Sequence, residues 1–392
     1  MPNFRLSQRL APLQRNVFAD MDRAKAAAIA AGQEVIDLSL GSSDLPAPDH
    51  VVAAIAASLQ DPSSHGYLLH QGTLPFRQAA AAWYERKFGL GVDPETEVLL
   101  LIGSQEGTAH LPLAVMEPGE IALLQDPGYP SHAGGVYLAG GDIYRLPTTA
   151  ERGFLPDFST IPAEILSRSR LLVLSYPHNP TTAIAPLAFF EEAVAFCRHH
   201  QLVLAHDFPY PDLGFDGVEV PSIFQADRQK QQSIEFFSLS KSYNMGGFRV
   251  GFAIGNAELI RALRRLKAVV DFNQYQGILA GAIAALSGPQ DCVEATRQRF
   301  RDRRDIFIDA LAATGWTIPK PVSTMYLWAP LPAPWQTRSI EFCEQLVAQT
   351  GVAASPGIGF GDCGEGFVRF ALVHDRDRLE EAARRITQFL VS

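Results

Sequence analysis

The chain has 392 residues, 47% of them hydrophobic and 19% charged, which excludes a disordered polymer and allows two or three domains around a large core. Its formal charge of -9 works against nonspecific binding to nucleic acid or to anionic membranes. Four cysteines, Cys197, Cys292, Cys343 and Cys363, stand far apart with neither CxxC nor metal-ligand spacing, as suits buried thiols in a reducing cytoplasm.

In chain order, the opening stretch MPNFRLSQRLAPLQRN lacks the apolar core of a signal peptide. The segment PFRQAAAAWYERKFG from Pro75 predicts a helix closed by Gly89. Short apolar runs follow at EVLLLIG, EIALLQD, RLLVLSYP, LVLAHD, IEFFSLS and VGFAIGN. Their continuous hydrophobicity predicts strands buried on both faces. Helix-like segments separate most of them, so the expected fold class is α/β, a mostly parallel sheet with helices on both faces. From Ala257 one long helical stretch is expected through LIRALRRLKAVVDF and on toward ATRQRFRDRRDIFIDALAATG. GILAGAIAAL, the longest apolar run, is too short to span a bilayer, so the expected setting is cytoplasmic. The final third, with STMYLWAPL, FVRFALV and the closing helix DRLEEAARRITQFL, predicts a smaller α+β domain. The expected division is an N-terminal arm over 1–50 packing with the small domain, a large domain over 51–287 and the small domain over 288–392.

Open parallel sheets bind ligands beyond the carboxyl ends of their strands, and the polar residues cluster there. After EVLLLIG, Gly103 permits a tight turn, and the backbone N–H groups of Ser104, Gln105 and Glu106 would lie at the positive end of a helix, an anion cup. An ordinary strand-to-helix turn accounts for that segment equally well. Asn179 follows a strand in SYPHNPTTA, where Asn-Pro alone means a turn. Asp207 ends LVLAHD, where a carboxylate needs a partner. Lys241, after FFSLS, is placed where burial can neutralise an amine and make it a nucleophile toward a carbonyl. Eight residues on, Arg249 joins Ser238 and Ser240 as donors suited to a phosphate.

Eight segments, in order, resemble the class I/II aminotransferases, pyridoxal phosphate enzymes of fold type I, over nearly the whole chain. DLSLGSSDLPAP resembles the family's N-terminal glycine segment and HGYLLHQGTLPFR its Tyr–Gly–Arg segment. GSQEGTAHL is similar to the phosphate cup, DPGYP to the segment with the aromatic that stacks on the cofactor ring, and YPHNPTT to the Asn-Pro-Thr-Gly turn. HDFPY resembles the Asp-x-x-Tyr, SLSKSYNMGGFRVG the Schiff-base lysine motif, and SPGIGFGDCGEGFVRFAL the segment with the carboxylate-binding arginine.

The resemblance implies roles. Lys241 would hold pyridoxal 5'-phosphate covalently and later move a proton as base and acid. Asp207 would pair with the ring nitrogen. Asn179 and Tyr210 would hydrogen-bond the ring oxygen, and Tyr129 would stack on the ring. Ser104, Gln105, Ser238, Ser240 and Arg249 would bind the phosphate, with Tyr67 of a neighbouring subunit in a homodimer of shared sites. Arg369 and the Gly41 backbone would hold the substrate α-carboxylate, Asn179 lying beside them. The implied activity is transfer of an amino group between an L-amino acid and a 2-oxo acid, ping-pong, with substrates of the aspartate, alanine or diaminopimelate type. No metal is expected. Two alternatives stand beside it: a C–S lyase or aminocyclopropane-carboxylate-synthase-like eliminase on the same fold, and a noncatalytic regulator. The regulators carry a helix-turn-helix domain, for which no room is seen before Gly41. Three departures touch the pattern. Thr182 stands where the turn usually has glycine, so its backbone is expected to avoid the glycine conformation. Ser323 and Met325 stand where Gly and an aromatic are common, and Pro209 and Pro211 flank Tyr210 and are expected to stiffen its loop.

Overall fold

A computed structural model describes residues 6–14, 17–312 and 314–391; residues 1–5, 15 and 16 of the expected arm lie outside the described residues. The six apolar runs form strands of one seven-stranded sheet. Across it the order is Val98–Leu101, Gly251–Gly255, Ser233–Ser238, Val203–Asp207, Ser169–Ser175, Ile121–Asp126 and Asp142–Pro147. Only Gly251–Gly255 runs antiparallel to its neighbours. The seventh strand, Asp142–Pro147, was not among the expected ones. It is an edge strand with mostly exposed or half-buried side chains, so it lacks the apolar run that marks a strand covered on both sides.

The two-residue period of a strand sends neighbours to opposite faces. Val98, Leu100, Ile121, Leu123, Leu172, Leu174 and Leu204 join one core cluster. Leu99, Leu101, Ala122, Leu124, Leu171, Val173 and Ala205 join another. The helix expected from Pro75 runs Leu74–Phe88 against the first cluster, and Gly89 ends it at φ +68°. That left-handed turn costs glycine nothing.

The single long helix expected after Ala257 is three helices, Ala257–Val270, Gln276–Ser287 and Asp291–Ala312. The breaks fall where Phe272 takes φ +58° and at Gly288-Pro289. Three antiparallel strands, Ser355–Pro356, Phe367–Ala371 and Tyr326–Pro330, form a small sheet beside helices Ser339–Thr350 and Arg376–Val391. Met21, Ala28, Ile36 and Leu38 share a core with Phe307, Leu327, Phe342, Val352 and Phe370, and Ile36–Asp37 pairs in parallel with Val352–Ala353. Among the described residues no helix is long and apolar enough to cross a membrane.

Candidate active site

Sheet register assembles the site. Ser175, Asp207 and Phe236 lie side by side at the carboxyl ends of three neighbouring parallel strands. Leu101, Gly251 and Ser238 are likewise in register across the antiparallel strand. Residues far apart in sequence therefore emerge from one edge: Ser104 and Gln105 past Leu101, Asn179 past Ser175, Tyr210 past Asp207, and Lys241 past Ser238.

The turn after Leu101 opens a helix at Ser104, as expected. Gly103, at φ +75°, caps helix Ser104–Val115 without a side chain of its own. A Cβ on Gly103 would meet an Arg249 guanidinium nitrogen at 2.5 Å, and one on Gly251 would meet the Ser104 backbone nitrogen at 2.8 Å. Both glycines therefore keep the cup open to Arg249 and to the helix N–H groups. Opposite, the Ser238 hydroxyl accepts the Ser240 N–H at 3.2 Å.

Asp207 is buried, and one oxygen accepts from His132 Nε2 at 3.0 Å. Its other oxygen, Oδ1, is buried with no partner. A charged acceptor left bare at a strand end fits a group that brings its own N–H, as a protonated pyridine nitrogen does. Lys241 Nζ donates to the Gly41 carbonyl at 2.5 Å. Arg369 donates to Asn179 Oδ1 at 2.8 Å and to the Ser39 carbonyl at 2.7 Å, while its buried Nε has no partner. Its guanidinium lies 4.3 Å from the Tyr326 ring centroid and 4.6 Å from that of Phe360, a flat slot that holds the fork in one orientation.

Two functional neighbours escaped the sequence reading. His132 lies three residues past Tyr129, and nothing local marks it as a carboxylate's partner. Tyr326 adjoins the flagged Met325; Tyr210 Oη donates to its hydroxyl at 3.1 Å. Burial pushes the Tyr210 phenol well up, with Tyr326 beside it adding to the rise. At Tyr326 burial acts upward too, but the Lys241 and Arg369 charges outweigh it and bring that phenol below its usual value. Burial also raises Tyr129, at the start of helix Pro130–Ala139. Tyr67 is not brought into this cluster: it is 91% exposed, and its ring lies 6.1 Å from Phe272.

One expectation is overturned. Thr182 does adopt the glycine conformation, at φ +65°. Its N–H donates to the His178 carbonyl at 2.8 Å, and its carbonyl accepts from Ser323 Oγ at 2.6 Å. Hydrogen bonds at both ends hold a threonine where sterics disfavour it. Ser323, the second departure, thus compensates the first.

Past the carboxyl ends of one sheet's strands lie a glycine turn that opens a helix, a bare buried carboxylate and a lysine amine, and Arg369 reaches Asn179 from the small sheet; the fold is that of the pyridoxal phosphate enzymes of fold type I. The chain matches the family described as Aminotransferase class I and II over residues 33–386. It is 41% identical over 384 residues to the LL-diaminopimelate aminotransferase of Moorella thermoacetica, covering 98% of each chain. A probable N-succinyldiaminopimelate aminotransferase from Thermus thermophilus superposes with a TM-score of 0.90 at 44% identity, covering 95% of this chain and 99% of that one. Substrate-bound BacF from Bacillus subtilis gives 0.94 at 34% identity, covering 98% of both. The chain belongs to the class I and II aminotransferase family and is a pyridoxal-phosphate-dependent transaminase, exchanging an amino group between amino acids and 2-oxo acids.

Proposed function

We propose that the chain is a transaminase of the diaminopimelate type, working by a ping-pong mechanism as a cytoplasmic homodimer. The observation that carries the substrate class is the 41% identity, over 98% of both chains, to a relative named LL-diaminopimelate aminotransferase. When bound, pyridoxal phosphate supplies an aldehyde that takes the amino group and a ring that withdraws electrons from the substrate. The chain's own residues do the rest. Ser104, Gln105, Ser238, Ser240 and Arg249 would hold the phosphate, and Asp207 would keep a proton on the ring nitrogen. Tyr129 would lie against the ring, and Asn179 and Tyr210 would hydrogen-bond its oxygen. Arg369, with the Gly41 backbone, would clamp the α-carboxylate and so orient the substrate toward Lys241. The Lys241 amine, once free, would take the proton from the substrate Cα and deliver it to the carbon that had carried the cofactor's aldehyde. We assign 1–50 to an arm, 51–287 to the cofactor domain and 288–392 to the small domain.

Tyr67 supports the homodimer. A tyrosine 91% exposed, against Phe272 at 50%, makes an apolar surface that a second copy would cover. The test of substrate class is a half-reaction screen by absorbance, with LL-diaminopimelate, aspartate, alanine and glutamate, then with 2-oxo acids. Rapid amination of the cofactor by LL-diaminopimelate is expected. Amination by aspartate or alanine alone would reject that class, and pyruvate release without amination would make the chain an eliminase.

A further inference from the structure

Beneath the cup lies an ionic group that the reaction does not use. Glu106 stands in the first turn of the cup helix. Its Oε2 accepts the Ile102 N–H at 2.6 Å, and so fixes the residue that leads into Gly103. A carboxylate there is oddly chosen, because it sets a negative charge within one helical turn of a site for a dianion. Lys267, 3% exposed on the adjacent helix, answers it: its amine lies 3.0 and 2.9 Å from the two Glu106 oxygens and 2.8 Å from Asp271 Oδ1. His110 also faces Glu106, at 3.8 Å. Just past Asp271, Gln274 donates to the carbonyls of Leu101 and Arg249 at 3.1 and 3.3 Å. The segment that Lys267 anchors therefore ties both walls of the cup.

We infer that Lys267 is a positioning residue for cofactor phosphate: by pairing with Glu106 it offsets the charge of the carboxylate that shapes the cup, and so lessens its repulsion of the anion the cup receives. Coulomb repulsion in a partly desolvated site is weakly screened, and removing one partner of a buried pair leaves the other charge bare. The inference rests on the phosphate reading of the cup.

Charge and shape make opposite predictions, which one experiment reads. Apoenzyme is titrated with pyridoxal phosphate and with pyridoxal, in wild type, Lys267→Met, Glu106→Gln and the double variant, with binding followed by absorbance and thermal unfolding of each apoenzyme recorded. Lys267→Met should bind pyridoxal phosphate about tenfold more weakly yet bind pyridoxal as wild type does. Glu106→Gln keeps an acceptor for the Ile102 N–H and removes the charge, so it should bind the phosphate form at least as tightly as wild type. The double variant should regain the affinity that Lys267→Met loses. Equal weakening toward both ligands, weaker phosphate binding in Glu106→Gln, or no recovery in the double variant would each overturn the inference. Should Lys267→Met not fold, Lys267→Gln takes its place, and the sign of the Glu106→Gln effect decides by itself. A wild type with no preference for pyridoxal phosphate over pyridoxal would instead reject the phosphate cup.

Discussion

Asp207 holds one oxygen toward His132 and leaves the other bare, so its charge is available to a ring nitrogen. Asp207→Asn retains the shape and loses the charge; proton removal from substrate Cα should slow by orders of magnitude in stopped-flow half-reactions while the fold persists. A near-normal rate would remove Asp207 from the mechanism. Arg369 is clamped between two rings, and a bidentate fork there has no lysine equivalent. Arg369→Lys should weaken every amino acid and 2-oxo acid by a similar factor, about tenfold or more. A loss that varied with the side chain would move Arg369 into the specificity pocket. His178 is fully buried with a bare Nε2. Burial, helped by His132, lowers its pKa from 6.5 to about 3. The unfolded chain thus takes up a proton below about pH 6.5 that the folded chain refuses until about pH 3, so stability falls as pH falls through that window, by up to tenfold in folding constant per unit. Urea midpoints measured from neutral pH down to about pH 4 should decline less steeply in His178→Gln. Parallel profiles would mean that His178 contributes nothing to acid lability.

At the scale of elements, the turn after Ser175 departs most from the family pattern. A β-branched residue at φ +65° carries strain of about 1–2 kcal/mol. Thr182→Gly should remove that strain and, after the added freedom of the unfolded chain, stabilise by about 0.5–1 kcal/mol, seen as a higher unfolding midpoint. Destabilisation would show that the threonine's packing outweighs its backbone. The strands were legible where both faces are buried, because an unbroken apolar run has few other uses in a soluble chain. Asp142–Pro147 was not, since an edge strand must be polar on its open sides. The run after Ala257 reads as one helix because its first break uses Asp271 and Phe272, which carry no glycine or proline signal.

For the whole molecule, the exposed Tyr67 frames the assembly prediction. Lys241→Ala and Tyr67→Ala subunits, mixed under conditions that allow exchange, should form heterodimers with one doubly altered site and one intact site. Random pairing then restores about a quarter of all sites. Activity clearly above the mean of the two parents is the expected result; verified exchange without gain would rule out a shared site.

Sequence alone determined six of the sheet's seven strands and the residues that end them, since burial on two faces and the chemistry of lysine, aspartate and arginine are local properties. It also determined the family, through eight ordered segments, four of which strand register brought to one edge. Only tertiary structure decided which neighbours tune that chemistry. His132 reaches Asp207 across 75 residues, Tyr326 reaches Tyr210 across 116, and Lys267 reaches Glu106 across 161. No spacing rule spans such distances, because the contacts arise from packing layers whose alignment depends on every strand and helix between them. The strain at Thr182 was hidden for the same reason: Ser323, the residue that holds its carbonyl, lies 141 positions away.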